Sequence, residues 1–136
     1  MPLTTGFNHV AIVTPDLDRL VGFYEQVFEA AKTFEMAAKP DHPRMAIVDL
    51  GGGAALNVFE AGPDDEIVGD RRRAGGRGAI DHYGIAVDSR ATLDAVKERL
   101  VAAGADIGEI QQLGDMWSLF FRDIDGMELE VCAPMA

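Results

Sequence analysis

Residues 8–13 form a short apolar run that stops at Thr14-Pro15-Asp16, which predicts a strand ended by a proline well placed to open a helix. From Leu17 onward the apolar positions Leu20, Val21, Tyr24, Val27 and Phe28 recur at three- and four-residue steps, with Asp18, Arg19, Glu25 and Gln26 between them. That period predicts an amphipathic helix lying on a sheet. Three strands are then expected at 33–38, 45–50 and 55–60, separated by Lys39-Pro40-Asp41-His42-Pro43 and by Gly51-Gly52-Gly53. After an interruption at 61–79 the order starts again. A strand at 81–87 leads to a helix from about Ala91 that carries Leu93, Val96, Leu100 and Val101 and is closed by Gly104 as a left-handed cap. Strands at 107–113, 118–122 and 128–132 follow, the last two joined by a tight turn at Asp125-Gly126.

The two halves are copies. Phe7-Asn8-His9-Val10-Ala11-Ile12-Val13 is echoed by Ile80-Asp81-His82-Tyr83-Gly84-Ile85-Ala86, with His82 lying 73 residues after His9. At that offset Leu20 falls on Leu93, Glu25 on Glu98, Val27 on Leu100, Ala30 on Ala103, Gly53 on Gly126, and Leu56-Asn57-Val58 on Leu129-Glu130-Val131. The fold class is therefore α+β: two βαβββ modules, 7–60 and 80–133, with 61–79 as a linker loop, forming a single domain over 1–136 with a curved, mostly antiparallel sheet. A pseudo-twofold axis between copies sets equivalent positions across a shared cleft, so His9, His82, Asn57 and Glu130 should face one another. Two imidazoles and a carboxylate are the donors of a divalent metal site. Alternation puts His9 with Ala11 and Val13, His82 with Gly84 and Ala86, and Glu130 with Glu128 and Cys132; small neighbours are what a cavity requires.

Composition narrows the field. With 136 residues and 48% hydrophobic content the chain can build one core, whereas halves of about 65 residues would each be marginal alone. No run reaches the roughly 18 apolar residues of a membrane span, and no basic segment followed by an apolar one opens the chain, so a soluble, cytoplasmic protein is expected. Cys132 is the only cysteine, which rules out an intrachain disulfide. A formal charge of −11 argues against nucleic acid and anionic membranes as partners and suits a small-molecule partner, including a cationic one. The run Arg71-Arg72-Arg73 reads either as a solvated hinge or as a flap whose guanidinium groups pair with a carboxylate or phosphate.

Taken together, Asn8-His9-Val10, Pro15-Asp16-Leu17, Phe23-Tyr24, Asp81-His82, and Asp125-Gly126 with Glu130 four residues on resemble the vicinal oxygen chelate superfamily. That group holds glyoxalase I, extradiol dioxygenases, methylmalonyl-CoA epimerase, fosfomycin-resistance enzymes and bleomycin-resistance proteins. The resemblance implies a glyoxalase-like fold with a U-shaped cleft, a divalent metal held by residues matching His9, His82 and Glu130, and commonly a homodimer. It departs at Asn57, which stands where glyoxalase I has a glutamate that is both ligand and proton carrier and the epimerase a glutamine ligand. Asparagine coordinates weakly and cannot take a proton at neutral pH, so Asn57 is a fourth metal-site position at most, and a base would have to come from Glu128 or Glu60. Two histidines and one carboxylate with open positions favour Fe(II) or Mn(II), with Ni(II), Co(II) and Zn(II) as alternatives.

The spare histidine that extradiol chemistry asks for could only be His42, which lies in a loop, and residues 110–115 lack the basic character of a fosfomycin-type potassium loop. Phe59, Tyr83, Met116, Trp117 and Phe121 are the expected pocket lining, although Trp117 reads equally as an edge-of-core aromatic. Cys132 reads as a small apolar residue rather than a nucleophile. Two functional readings follow. One is a metalloenzyme of the glyoxalase or dioxygenase type, in which Glu130 is both ligand and catalytic residue and the ion acts as a Lewis acid on an oxygen-chelating substrate; lyase, isomerase and oxidoreductase chemistry remain open. The other is a metal-free small-molecule binding protein, as bleomycin-resistance proteins are.

Overall fold

The computed structural model describes residues 1–65 and 80–135, and its contacts divide the chain into two compact units, Met1–Ile67 and Val68–Ala136. Arg71, Arg72 and Arg73 lie outside the described residues. Among the described residues no helix is long and apolar enough to cross a membrane.

The first unit runs β1 (His9–Thr14), α1 (Leu17–Phe28), β2 (Ala31–Met36), β3 (Met45–Gly51) and β4 (Ala54–Glu60). Its sheet has the order β1-β4-β3-β2, with β1 parallel to β4 and the other neighbours antiparallel. Both ends of α1 are specified locally. Asp16 caps the start by accepting from the Arg19 backbone N at 3.1 Å, and Glu60, at the end of β4, reaches over to accept from the Leu17 N at 2.8 Å. At the other end Glu29 takes a left-handed conformation, φ 54°, without being a glycine. Leu17, Leu20, Val21, Phe23, Tyr24 and Val27 are all buried. The sheet answers with Ala46, Val48, Leu56 and Val58, each fully buried. Each large aliphatic side chain withdrawn from water here is worth roughly 1.5–3 kcal/mol.

The second unit runs β5 (Tyr83–Ala86), α2 (Arg90–Ala102), β6 (Asp106–Ile107), β7 (Gln111–Leu113), β8 (Met116–Arg122) and β9 (Glu128–Pro134). Its sheet has the order β5-β9-β8-β6, with β7 also on β8; β5 is parallel to β9 and the rest antiparallel. Ser89 caps α2 by accepting from the Thr92 N at 3.1 Å. Gly104, at φ 71°, supplies the expected left-handed exit. Leu93 and Leu100 of α2 are fully buried, as are Leu119, Leu129 and Val131 of the sheet.

Three local differences from the sequence reading have physical causes. The strand expected at 107–113 is two pieces, because Ile107 pairs Phe121 while Gln111 pairs Ser118; four steps on one edge face three on the other, and the extra residue makes a bulge. The turn at Asp125-Gly126 belongs to a wider connection closed by Asp123 N to Met127 O at 2.9 Å, with the buried Asp123 carboxylate accepting from the Asp125 and Met127 amides. His82 sits one residue before β5, whereas His9 opens β1.

The duplication is visible in the pairing. Ala11, Asn57 and Ile47 stand side by side across β1, β4 and β3; Gly84, Glu130 and Phe120 do so across β5, β9 and β8. Each member of the second trio is the first displaced by the same repeat offset. The architecture is two sheets with two helices, one of each per unit, mixed α+β as expected.

Candidate metal centre

In the second unit the ladder sorts side chains by parity. Leu129, Val131 and Ala133 pair with Phe121, Leu119 and Trp117, and all but Trp117 are buried. The alternate positions, Glu128, Glu130 and Cys132 on β9 with Arg122, Phe120 and Ser118 on β8, occupy the opposite face. Gly84 and Ala86 complete that face from β5. Glu130 is buried at 8% exposure, and the neighbouring Ser118 is fully buried. The Ser118 hydroxyl donates to Glu130 Oε2 at 2.5 Å, which answers one carboxylate oxygen and leaves Oε1.

That remaining oxygen lies 3.3 Å from His82 Nε2. The other ring nitrogen of His82, Nδ1, lies 2.8 Å from Asp81 Oδ1, and an ionised carboxylate only accepts, so Nδ1 carries the proton. The ring also packs edge-on against Phe120, centroids 5.1 Å apart. If Nε2 is unprotonated, its lone pair and the Glu130 oxygen confront each other across a gap that only a cation can reconcile. Either a proton or a metal ion must stand there. The imidazole is accordingly held above its ordinary range, chiefly by the bond to Asp81 and further by Glu130, with partial burial opposing. The spacing also fits a metal, because two donors at about 2.1 Å from one ion and at right angles to each other stand roughly 3 Å apart.

In the first unit, His9 Nδ1 lies 2.8 Å from Asn8 Oδ1, repeating the Asp81–His82 arrangement with a neutral acceptor. Asn57 is half-buried between Ala11 and Ile47, and Phe59 follows on its face. His42 packs its ring on Phe59 at 5.9 Å and bonds the Pro43 carbonyl through Nδ1. Glu60 is committed to the Leu17 amide and to Arg44, so it is no free base.

The expected lining residues part company. Met116 shares the face of Glu130, and Phe59 that of Asn57. Tyr83, Trp117 and Phe121 have the opposite parity. Phe121 is 2% exposed within the core, and Trp117 lies under the Arg90 guanidinium at the start of α2, 4.3 Å from the ring centroid. For these three the register sets the side chain on the sheet face opposite Glu130. Phe120 takes the place assigned to Phe121. Ser118 carries no site signal in the sequence, whereas Asp81 and Asn8 each directly precede a repeated histidine. Cys132 shares the Glu130 face, and burial, then the nearby carboxylate, pushes its thiol up to about 11, which makes it a poor nucleophile at neutral pH. Among the described residues no group of three or more His, Cys, Asp or Glu is assembled within either unit; His82 and Glu130 form a pair.

Two βαβββ units, each with a histidine before or at its first strand and a polar residue at the matching place on its last, define the class, and residues 6–131 match the family described as the Glyoxalase/Bleomycin resistance protein/Dioxygenase superfamily. The chain belongs to that superfamily. It is 32% identical over 133 residues to metallothiol transferase FosB of Shouchella clausii, covering 95% of this chain and 80% of that protein. It is 33% identical over 98 residues to the mitochondrial methylmalonyl-CoA epimerase of Mus musculus, covering 68% of this chain and 53% of the epimerase, so the match spans about half of that relative's length. Among solved structures, the glyoxylase/bleomycin resistance protein/dioxygenase domain from Frankia sp. EAN1pec superposes with a TM-score of 0.82 at 28% identity, covering 96% of this chain and 93% of that one.

Proposed function

We propose that this protein is a metal-dependent enzyme whose centre is built on His82 Nε2 and Glu130 Oε1 of the second unit, and which acts on a small organic molecule bearing two adjacent oxygens. The observation that carries the reading is the 3.3 Å approach of His82 Nε2 to Glu130 Oε1, with the other atom of each group already engaged. An imidazole and a carboxylate with open positions favour Fe(II) or Mn(II) over Ni(II), Co(II) or Zn(II). Similarity to a metallothiol transferase supports metal dependence. When bound, such an ion supplies Lewis-acid stabilisation of negative charge on a substrate oxygen. The chain's own residues do the rest. Asp81 and Ser118 orient the donors, Phe120 walls one side of His82, and Gly84 and Ala86 keep the adjoining surface low. Asn57 would add at most a weak amide ligand, and it cannot shuttle a proton. Glu60 is engaged at the α1 terminus, and Glu128, the other candidate base, lies on the same sheet face as Glu130. The same reading makes the chain a single two-repeat domain acting as a cytoplasmic homodimer.

A second reading explains the same 3.3 Å approach of His82 Nε2 to Glu130 Oε1: a proton, not a metal, joins His82 to Glu130, and the protein sequesters a small molecule without turning it over. Elemental analysis of protein purified without chelator decides between them. Stoichiometric transition metal that is absent from His82→Ala supports the enzyme; metal-free protein whose melting temperature ignores both added Mn(II) and chelator supports sequestration. Vicinal diols, α-ketoaldehyde thiol adducts and acyl-CoA thioesters form the substrate screen.

A further inference from the structure

Resting on the metal-centre reading, we infer that Asp81 is a positioning residue, which fixes the ring tautomer of His82 so that Nε2 is the nitrogen offered to the ion. The Asp81 oxygen is 2.8 Å from Nδ1, and a carboxylate cannot donate. In the neutral ring the proton must therefore sit on Nδ1, and Nε2 must carry the lone pair that faces Glu130 Oε1. An imidazole left to itself could equally turn Nε2–H toward Glu130. That arrangement would satisfy the carboxylate with a hydrogen bond and close the position to a metal. Asp81 biases the ring against this self-satisfied state.

The repeat provides an internal control. His9 has the same contact through the same nitrogen at the same distance, but its acceptor is the amide oxygen of Asn8. An amide can turn its NH2 as well as its oxygen toward the ring, so it does not fix the tautomer as an acceptor-only carboxylate does, and it omits the added basicity that a carboxylate confers on the ring. The second difference between the copies lies at the carboxylate. Glu130 is gripped by Ser118, whereas at the repeat offset Asn57 stands for the glutamate and Met45 for the serine. Unit two thus carries both carboxylates that polarise the centre, and unit one carries their neutral counterparts.

Nitrogen-15 NMR of the metal-free protein above the titration of His82, together with Mn(II) titration by calorimetry, tests this on wild type, Asp81→Asn and Asp81→Ala. Circular dichroism checks that each variant is folded. Wild type should show the Nδ1–H tautomer at His82, Asp81→Ala the Nε2–H tautomer, and Asp81→Asn a mixture of the two, because the amide can accept or donate. Mn(II) affinity should fall 10–100-fold in Asp81→Ala and by a smaller factor in Asp81→Asn. An Nε2–H tautomer in wild type, or unchanged tautomer and unchanged affinity in Asp81→Ala, would overturn the assignment. The tautomer is read without metal, so failure of wild type to bind any ion would sink the metalloenzyme reading separately from the orientation of His82 by Asp81.

Discussion

At the scale of single residues, the second unit holds a buried carboxylate whose two oxygens have different tasks, one answered by Ser118 and one turned to His82. Ser118→Ala removes the hydroxyl donor to Glu130 Oε2 in a buried place. Urea denaturation of the metal-free variant should show a loss of about 1–3 kcal/mol, a cost that Ser118→Thr largely avoids. His82 and Glu130 were legible in the sequence because the duplication marks them twice over. Phe120 was not. Its parity follows from the connection between β8 and β9, and a five-residue loop spanning Asp123 to Met127, not a two-residue turn, decides that Phe120 and not Phe121 stands beside Glu130.

Elements raise a different question, that of what ends and anchors them. Gly104 leaves α2 at φ 71° with open space around the position a Cβ would occupy, so Gly104→Ala meets backbone strain and no clash. A destabilisation of roughly 1 kcal/mol is expected by thermal or urea unfolding. In unit one, Arg44 ties α1 to the sheet through Asp18 at 2.7 Å, Glu35 at 3.3 Å and Glu60 at 3.5 Å. Arg44 lowers the Asp18 carboxyl below its ordinary range, and Lys32 first, then Arg44, lowers that of Glu35. Depressed folded values mean that this stabilisation is present above the unfolded range near pH 4 and disappears as pH falls through the folded values. Arg44→Ala should therefore unfold at lower urea than wild type at pH 7, with the gap closing below about pH 4. Both helices were readable from their period of apolar positions, and so was the glycine exit. The bulge that divides β6 from β7 was not readable, since it exists only as a mismatch of register with β8.

For the whole molecule, a strong excess of acidic over basic groups favours divalent cations and cationic or neutral ligands over polyanions. Ligation that exists only in the folded state must also stabilise it. Mn(II) at about 100 times its dissociation constant should add roughly 2.7 kcal/mol to the stability of wild type and little to that of His82→Ala, as calorimetric melting would show. What the chain dictated by itself is what repeats: the βαβββ order, the helix faces, the paired histidines, and the substitution of an amide for a carboxylate at Asn57. Periodicity and duplication are one-dimensional, so they survive in a string of residues. Which nitrogen of His82 is free, which oxygen of Glu130 faces it and which aromatic stands alongside were decided only in three dimensions, because hydrogen-bond direction and strand register arise between segments and leave no mark in either segment alone.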